Sequence, residues 1–122
     1  MENFNFDHEF DVVVIGTGNG GLTSAICARD GGASVLVIEK SNQYGGTSAT
    51  SGGGVWIPNN RYAVAENADD SYDDAKAYIN SVSPDGMIED DLIETYLEHG
   101  PKMIASLHEI SRVQYRTVAH YP

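Results

Sequence analysis

The sequence predicts an α/β fold that starts as a strand–helix–strand unit of a parallel sheet and continues as helices after residue 70. Two short runs, VVVI at 12–15 and VLVI at 35–38, are apolar at every position, which is typical of strands covered by helices on both faces. A glycine-rich turn and a helical pattern of small apolar residues separate the two runs. Parallel strands joined by one short helix form a βαβ unit.

The composition fits one small acidic domain. The chain has 122 residues, 41% of them hydrophobic, and its 18 acidic and 7 basic residues give a net charge of −11. This balance argues against nucleic acid and anionic membranes as partners, because both are bound through Lys and Arg. We find no membrane-spanning run of ~20 apolar residues and no apolar signal core in MENFNFDHEF. We therefore expect a cytoplasmic protein whose single cysteine, Cys27, is a small buried hydrophobe.

The first strand follows a loose tail at residues 1–10 and leads into a turn, GTGNGG at 16–21, that fits the pattern G-x-G-x-x-G. In this pattern Gly16 permits the tight turn, Gly18 lets the backbone approach a pyrophosphate, and Gly21 allows the helix to pack closely on the strand. The free N–H groups that open the helix then face the phosphates.

The second strand ends in an acid. The helix is predicted to end at Gly31 and Gly32. The second strand follows, and after it comes Glu39, 23 residues (39 − 16) after Gly16. An acid about 20 residues after the first glycine binds a ribose in dinucleotide folds, although it can also be merely a solvated strand end. The acid favours a free ribose diol over a 2′-phosphate, but it does not distinguish NAD from FAD. The unit thus predicts a Rossmann-like dinucleotide site.

The next segment, GGTSATSGGGVWIPNN at 45–60, is rich in glycine and hydroxyl side chains and carries no charge. Small residues let the backbone lie against a flat ligand, and hydroxyls bind a pyrophosphate or a ring edge without adding charge. A flexible linker is the alternative. The apolar run at 55–57, which includes Trp56, favours an ordered, ligand-facing loop.

The rest of the chain predicts helices. Residues 71–82 form one, with Ser71 and Asp74 in capping-box spacing. A turn at 83–86 leads to another helical pattern, whose apolar residues recur from Ile88 onward.

The last third of the sequence gives two further predictions. Gly100-Pro101 interrupts the helical pattern, so we expect Pro101 to begin a separate helix that ends at Ile110. Residues 113–118 are expected to form a short strand. Because two clear parallel strands cannot make a covered sheet by themselves, we expect the chain to be the N-terminal piece of a longer protein.

No metal site is predicted. The histidines show no metal-ligand spacing, and the adjacent acidic pairs are expected to be helix-start charges rather than an acid/base pair. The residues concerned are His8, His99, His108 and His120, and the pairs Asp69-Asp70 and Asp90-Asp91.

Several segments resemble a known family. DVVVIGTGNGGLTSAICARDGGASVLVIEK followed by GGTSATSGGG is similar to the FAD-binding domain of the fumarate reductase/succinate dehydrogenase flavoproteins. Within that superfamily, SGGGVWIPNN, YLEHGPKMIASLHE and VQYRTVAHYP most resemble the 3-ketosteroid dehydrogenases. The resemblance implies that residues 11–122 are the N-terminal part of an FAD-binding domain, with the remainder of the protein missing.

The resemblance also implies the cofactor and its site. FAD would be noncovalent, because residues 41–60 lack the histidine to which some relatives attach the flavin. The pyrophosphate would lie along the glycine turn, the adenosine ribose at the end of the second strand, and the ribityl chain and isoalloxazine along the next segment. In chain order these residues are Gly16, Gly18, Asn19, Gly20 and Gly21; Glu39 and Lys40; Gly46, Thr47 and Ser48; and Ser51, Gly52, Gly53 and Gly54.

The implied activity is desaturation of a 3-ketosteroid substrate by proton abstraction and hydride transfer to flavin N5, with an unidentified electron acceptor. The catalytic residues are expected beyond Pro122, so this chain alone should be inactive. Tyr121 would lie near the substrate, although an aromatic packing residue is the alternative. One alternative function is a fumarate reductase-like flavoprotein that reduces an activated C=C bond. The other is a non-catalytic or nicotinamide-binding Rossmann module.

Overall fold

The structure, a computed structural model, describes residues 6–66, 70–84 and 86–118. The chain divides into two compact units, Met1–Gly54 and Val55–Pro122. Within the described ranges, no helix is both long enough and apolar enough to cross a membrane.

The first unit is built around the predicted strand–helix–strand. It contains β1 (Val12–Ile15), α1 (Asn19–Asp30) and β2 (Val35–Ile38). The two strands are parallel and pair residue by residue from their first positions, and α1 packs against both. Gly32, with φ +90°, takes the left-handed conformation that ends a helix readily. The α/β class and the βαβ start are therefore confirmed.

Only one face of this sheet is covered in the described part of the unit. Val14 faces α1, since a Cβ on Gly21 would lie 3.4 Å from the Val14 Cγ1 atom. On the other face Val13 is 52% and Ile15 84% exposed. Among the described residues α1 is the helix that packs on these strands, so burial of both faces stays a prediction for the longer protein.

The first unit also holds an element that the sequence did not predict. A 3₁₀ helix, Gly46–Thr50, follows β2. Gly45 precedes it with φ +107°, a conformation that favours glycine, so the chain can turn sharply into this short helix.

The second unit is helical. Its α3 (Tyr72–Val82) confirms the helix predicted at 71–82, and the Ser71 hydroxyl accepts a hydrogen bond from the Asp74 N–H at 3.1 Å, as its spacing indicated. A short helix, α2 (Arg61–Ala65), was not predicted. The Asn60 side chain caps it by accepting from two backbone N–H groups.

A single helix, α4 (Asp90–Ile110), contains Pro101, so the prediction of a separate helix that starts at this proline was wrong. The buried residues of α4 recur every three or four positions: Ile93, Leu97, Gly100, Ile104 and Leu107. This buried face continues across Pro101. Packing therefore keeps both halves in one helix although proline lacks the N–H of a helical hydrogen bond. Of the described parts of the unit, α3 packs on α4.

Residues 113–118 form no strand, so that prediction was also wrong. A strand needs a partner to satisfy its backbone, and none pairs with this segment in the described part of the chain. The Tyr115 N–H instead donates to Nε2 of His108, and the two rings stack at 5.8 Å. The segment is therefore held by an aromatic contact to α4.

Candidate dinucleotide-binding site

The glycine turn requires glycine at two positions, Gly16 and Gly21, for different reasons. Gly16 has φ +95°, and its N–H donates to the Ile38 carbonyl oxygen at 2.7 Å, which ties the turn to the end of β2. A Cβ on Gly21 would overlap the Gly16 carbonyl oxygen. Gly16 thus supplies the positive φ of the turn, and the missing side chain at Gly21 lets α1 start directly against the strand that precedes it.

The first turn of α1 presents an open, uncharged N-terminus. The helix begins at Asn19 after an extended Gly18, and its first turn contains no acidic residue. A Cβ on Gly20 would meet nothing within 4 Å. The Asn19 N–H donates to the Ser48 hydroxyl oxygen at 3.1 Å. Free N–H groups and the positive end of the helix dipole make such a position suitable for an anion.

Glu39 is held as an ionised carboxylate at the carboxyl end of β2. Its Oε2 accepts from the Thr17 hydroxyl at 2.6 Å and from the Thr17 N–H at 3.0 Å, and its Oε1 accepts from the Ser41 N–H at 3.1 Å. These donors, the Thr17 hydroxyl first, lower the pKa of Glu39 to about 2. The carboxylate is partly buried, and it can accept hydrogen bonds from a sugar hydroxyl.

The segment around the 3₁₀ helix lies against the glycine turn. Besides the contact of Ser48 with α1, the Gly45 N–H donates to the Thr17 hydroxyl oxygen at 2.8 Å. A Cβ on Gly46 would lie 3.4 Å from the Gly18 Cα atom. The structure therefore brings residues near 18 and residues near 46 into contact, although they are far apart in the sequence.

Other candidate residues are less closely tied to the turn. Lys40 and Thr47 are exposed. Residues 51–54 are exposed as well, and the Gly53 N–H donates to the Ser51 hydroxyl oxygen at 3.1 Å. Cβ atoms on the three glycines of this stretch would meet nothing within 4 Å. The assignment of residues 51–54 to the flavin ring stays a prediction.

Sequence reasoning missed two residues of the site, Thr17 and Gly45. Thr17 is the buried polar residue of the turn, at 7% exposure, and Gly45 donates to it. The available signal was a hydroxyl residue placed between two glycines of the turn, directly after an apolar strand. Nothing local indicated that its partner would be the acid 22 positions away.

The other residues that the sequence analysis considered for chemistry are not part of this site in the described chain. Cys27 is exposed, so the prediction that it is buried was wrong. It lies six residues after Gly21, which faces β1, and 3.6 residues per turn place it on another side of α1. His120 and Tyr121 lie outside the described residues. Among the described residues, no cluster of His, Cys, Asp and Glu could hold a metal ion.

These features together fit a dinucleotide that carries a pyrophosphate and a free ribose diol. Open space beside Gly20 and the uncharged start of α1 suit the pyrophosphate. The ionised Glu39 suits a ribose hydroxyl. The hydroxyl-rich segment that contacts the turn adds polar groups without charge.

Comparison with known families decides the class of dinucleotide. Residues 11–120 match the family described as FAD binding domain. The chain belongs to this family. The cofactor of this FAD binding domain is thus FAD, as the resemblance implied, whereas noncovalent attachment stays a prediction.

Two of the relatives similar to this chain are named as dehydrogenases. The chain is 42% identical over 97 residues to a 3-oxosteroid 1-dehydrogenase of Mycolicibacterium smegmatis, covering 80% of this chain and 17% of that protein. It is 37% identical over 113 residues to a 4-oxocyclohexanecarboxylate 2-dehydrogenase of Sinomonas cyclohexanicum, covering 93% of this chain and 20% of that protein.

A solved structure is similar as well. The 3-ketosteroid delta1-dehydrogenase from Sterolibacterium denitrificans, in complex with 1,4-androstadiene-3,17-dione, matches with a TM-score of 0.72 and 44% identity. The match covers 82% of this chain and 17% of that one. The FAD binding domain described here therefore spans between about a sixth and a fifth of the length of these relatives.

Proposed function

We propose that the full-length protein is an FAD-dependent dehydrogenase that desaturates a 3-ketosteroid in the ring that carries the keto group. The observation that carries this proposal is the identity of 42% and 44% to two 3-ketosteroid dehydrogenases. The Sinomonas relative is named for a smaller ring ketone. A monocyclic ketone is therefore the second candidate substrate.

The residues of this chain bind and orient the cofactor in this proposal. The N–H groups at the start of α1, beside Gly18 and Gly20, bind the pyrophosphate, and Glu39 accepts hydrogen bonds from the adenosine ribose. Residues 46–48 hold the ribityl region, and residues 51–54 approach the isoalloxazine. When bound, FAD supplies the hydride acceptor for the reaction.

Other parts of the proposal lie outside the described residues. A base must remove the proton activated by the keto group, and we propose that residues after Pro122 in the full-length protein carry it. Tyr121 is proposed to lie near the substrate, without an assigned catalytic role, and aromatic packing is the alternative. We also propose a cytoplasmic location, from the single cysteine of the sequence, and an electron acceptor of unidentified chemistry.

The test is an absorption spectrum of the purified full-length protein. We expect flavin bands in the visible range, and we expect them to bleach without oxygen when a 3-ketosteroid with a saturated C1–C2 bond is added. Precipitation with acid, followed by centrifugation, should leave the flavin in the supernatant if it is noncovalent.

Three results would contradict parts of this proposal. A protein without flavin bands would overturn the cofactor assignment. Bleaching by a monocyclic ketone but not by the steroid would replace the substrate with the second candidate. Chemically reduced flavin that is reoxidised by fumarate, in a protein that the steroid does not bleach, would favour the reductase alternative.

A further inference from the structure

Thr17 joins three segments of the first unit through one buried side chain. Its hydroxyl donates to Glu39 Oε2 at 2.6 Å and accepts from the Gly45 N–H at 2.8 Å. Its own N–H donates to the same Oε2 at 3.0 Å. A single residue thus connects the glycine turn, the end of β2 and the segment before the 3₁₀ helix.

These bonds determine which oxygen of Glu39 is available to a ligand. An ionised carboxylate has about four acceptor positions, two on each oxygen. Thr17 supplies both donors to Oε2, whereas Oε1 accepts from Ser41 at 3.1 Å and has room for another donor. Two bonds from one residue also restrict rotation of the carboxylate, so Oε1 is held in one orientation.

We propose that Thr17 is a positioning residue for FAD, which acts through Glu39 by fixing the carboxylate that accepts the adenosine ribose hydroxyls. This inference rests on the proposed role of Glu39. The low pKa of Glu39 agrees with it, because the same hydroxyl keeps the carboxylate ionised. The hydroxyl also matters to Gly45, whose N–H would lose its acceptor if Thr17 carried a methyl group instead.

The experiment compares Thr17→Val with Thr17→Ser in the full-length protein. Valine keeps the shape but removes the hydroxyl, and serine keeps the hydroxyl. Thr95→Val, at an exposed position of α4, is the matched control for the same chemical change. Each protein is titrated with FAD and with an FAD analogue that lacks the 2′ and 3′ hydroxyls of the adenosine ribose, and binding is followed by flavin fluorescence.

The expected result is specific to the ribose. Thr17→Val should weaken FAD binding about tenfold, the loss expected when the displaced Glu39 no longer makes one charge-assisted hydrogen bond to the ribose, and it should change analogue binding by much less. Thr17→Ser and Thr95→Val should bind FAD within about threefold of the wild type. If Thr17→Val does not fold by circular dichroism, Thr17→Ala removes the same hydroxyl with less bulk and is titrated in its place.

Several outcomes overturn the inference, and they are distinguishable from failure of the proposed function. Equal weakening of FAD and the analogue in Thr17→Val would show a merely structural role. A Thr17→Ser protein as weak as Thr17→Val would show that the hydroxyl is not responsible. A wild type that binds FAD and the analogue equally would remove Glu39 from the ribose site. A wild type that binds no flavin would instead refute the proposed function itself.

Discussion

At the scale of single residues, two glycines of the same motif serve different purposes. A Cβ on Gly21 would overlap the Gly16 carbonyl oxygen, whereas a Cβ on Gly20 would meet nothing within 4 Å. Gly21 is thus required by the fold, and Gly20 leaves space beside the start of α1. The motif spacing predicted the packing role of Gly21, and the family resemblance placed Gly20 at the pyrophosphate. Thr17 was not predicted, since its role depends on a partner 22 residues away.

Alanine substitutions at these glycines should separate folding from binding. We predict that Gly21→Ala destabilises the ligand-free protein by about 1–3 kcal/mol, because an extra methyl group is forced into packed backbone. Gly20→Ala should leave stability unchanged or raise it by up to about 1 kcal/mol through helix propensity, yet it should weaken FAD binding by filling the open space. Urea unfolding and flavin fluorescence measure the two effects, and equal stability losses in both variants would contradict the assignment.

The carboxylate of Glu39 should make stability depend on pH. Its pKa in the folded protein is about 2, below the ~4.3 of an ordinary glutamate. Because the folded-state pKa is depressed, the ionised group stabilises the fold above about pH 4.3, and this contribution is lost as the pH falls towards about 2. We predict that wild type and Glu39→Gln differ by a constant free energy of unfolding above about pH 5, and that this difference shrinks below about pH 4 and vanishes only near pH 2. Urea unfolding across this range measures it, and a pH-independent difference would argue against an ionised Glu39.

At the scale of elements, local signals predicted α1, α3 and both strands. Each has a sequence marker at its end, such as Gly31-Gly32 after α1 or Ser71 before α3. The continuity of α4 was not predictable in the same way. Gly100-Pro101 is a local stop signal, but a buried face that extends on both sides outweighs it. Packing on distant residues also determines the conformation of residues 113–118, which lack a partner strand in the described chain.

Replacing the proline of α4 tests this balance. Pro101→Ala restores an N–H donor to the helix interior, where proline costs about 3 kcal/mol relative to alanine. We predict a gain of about 1–3 kcal/mol in the free energy of unfolding, because the surrounding packing has partly adapted to the ring. Lys102→Ala, at the exposed neighbouring position, should stay within about 0.5 kcal/mol of the wild type. Gly100 lies close to Ile57, since a Cβ on Gly100 would be 3.1 Å from the Ile57 Cγ2 atom. A loss of stability in Pro101→Ala would show instead that this close contact depends on the proline.

At the scale of the whole molecule, the apolar face of the sheet is the feature that the described chain leaves unexplained. Val13 and Ile15 alternate with the residues that face α1, and they are as β-branched as those residues. Parallel sheets are normally covered by helices on both faces. The sequence predicted such a covered sheet, and the relatives, of which this chain spans 17% and 20%, have the additional length to supply a second layer.

A substitution at Ile15 decides whether that face is covered in the full-length protein. Ile15 is 84% exposed here, so a solvent-facing position would tolerate Ile15→Thr within about 0.5 kcal/mol. We predict a loss of about 1–3 kcal/mol, because a buried isoleucine exchanged for threonine loses apolar contact and places a hydroxyl in an apolar layer. Threonine keeps the β-branched shape, so strand propensity changes little. Val12→Thr, on the face towards α1, is the positive control, and urea unfolding of the full-length protein measures both. A neutral Ile15→Thr beside a destabilising Val12→Thr would show that water, not a second layer of helices, lies against this face.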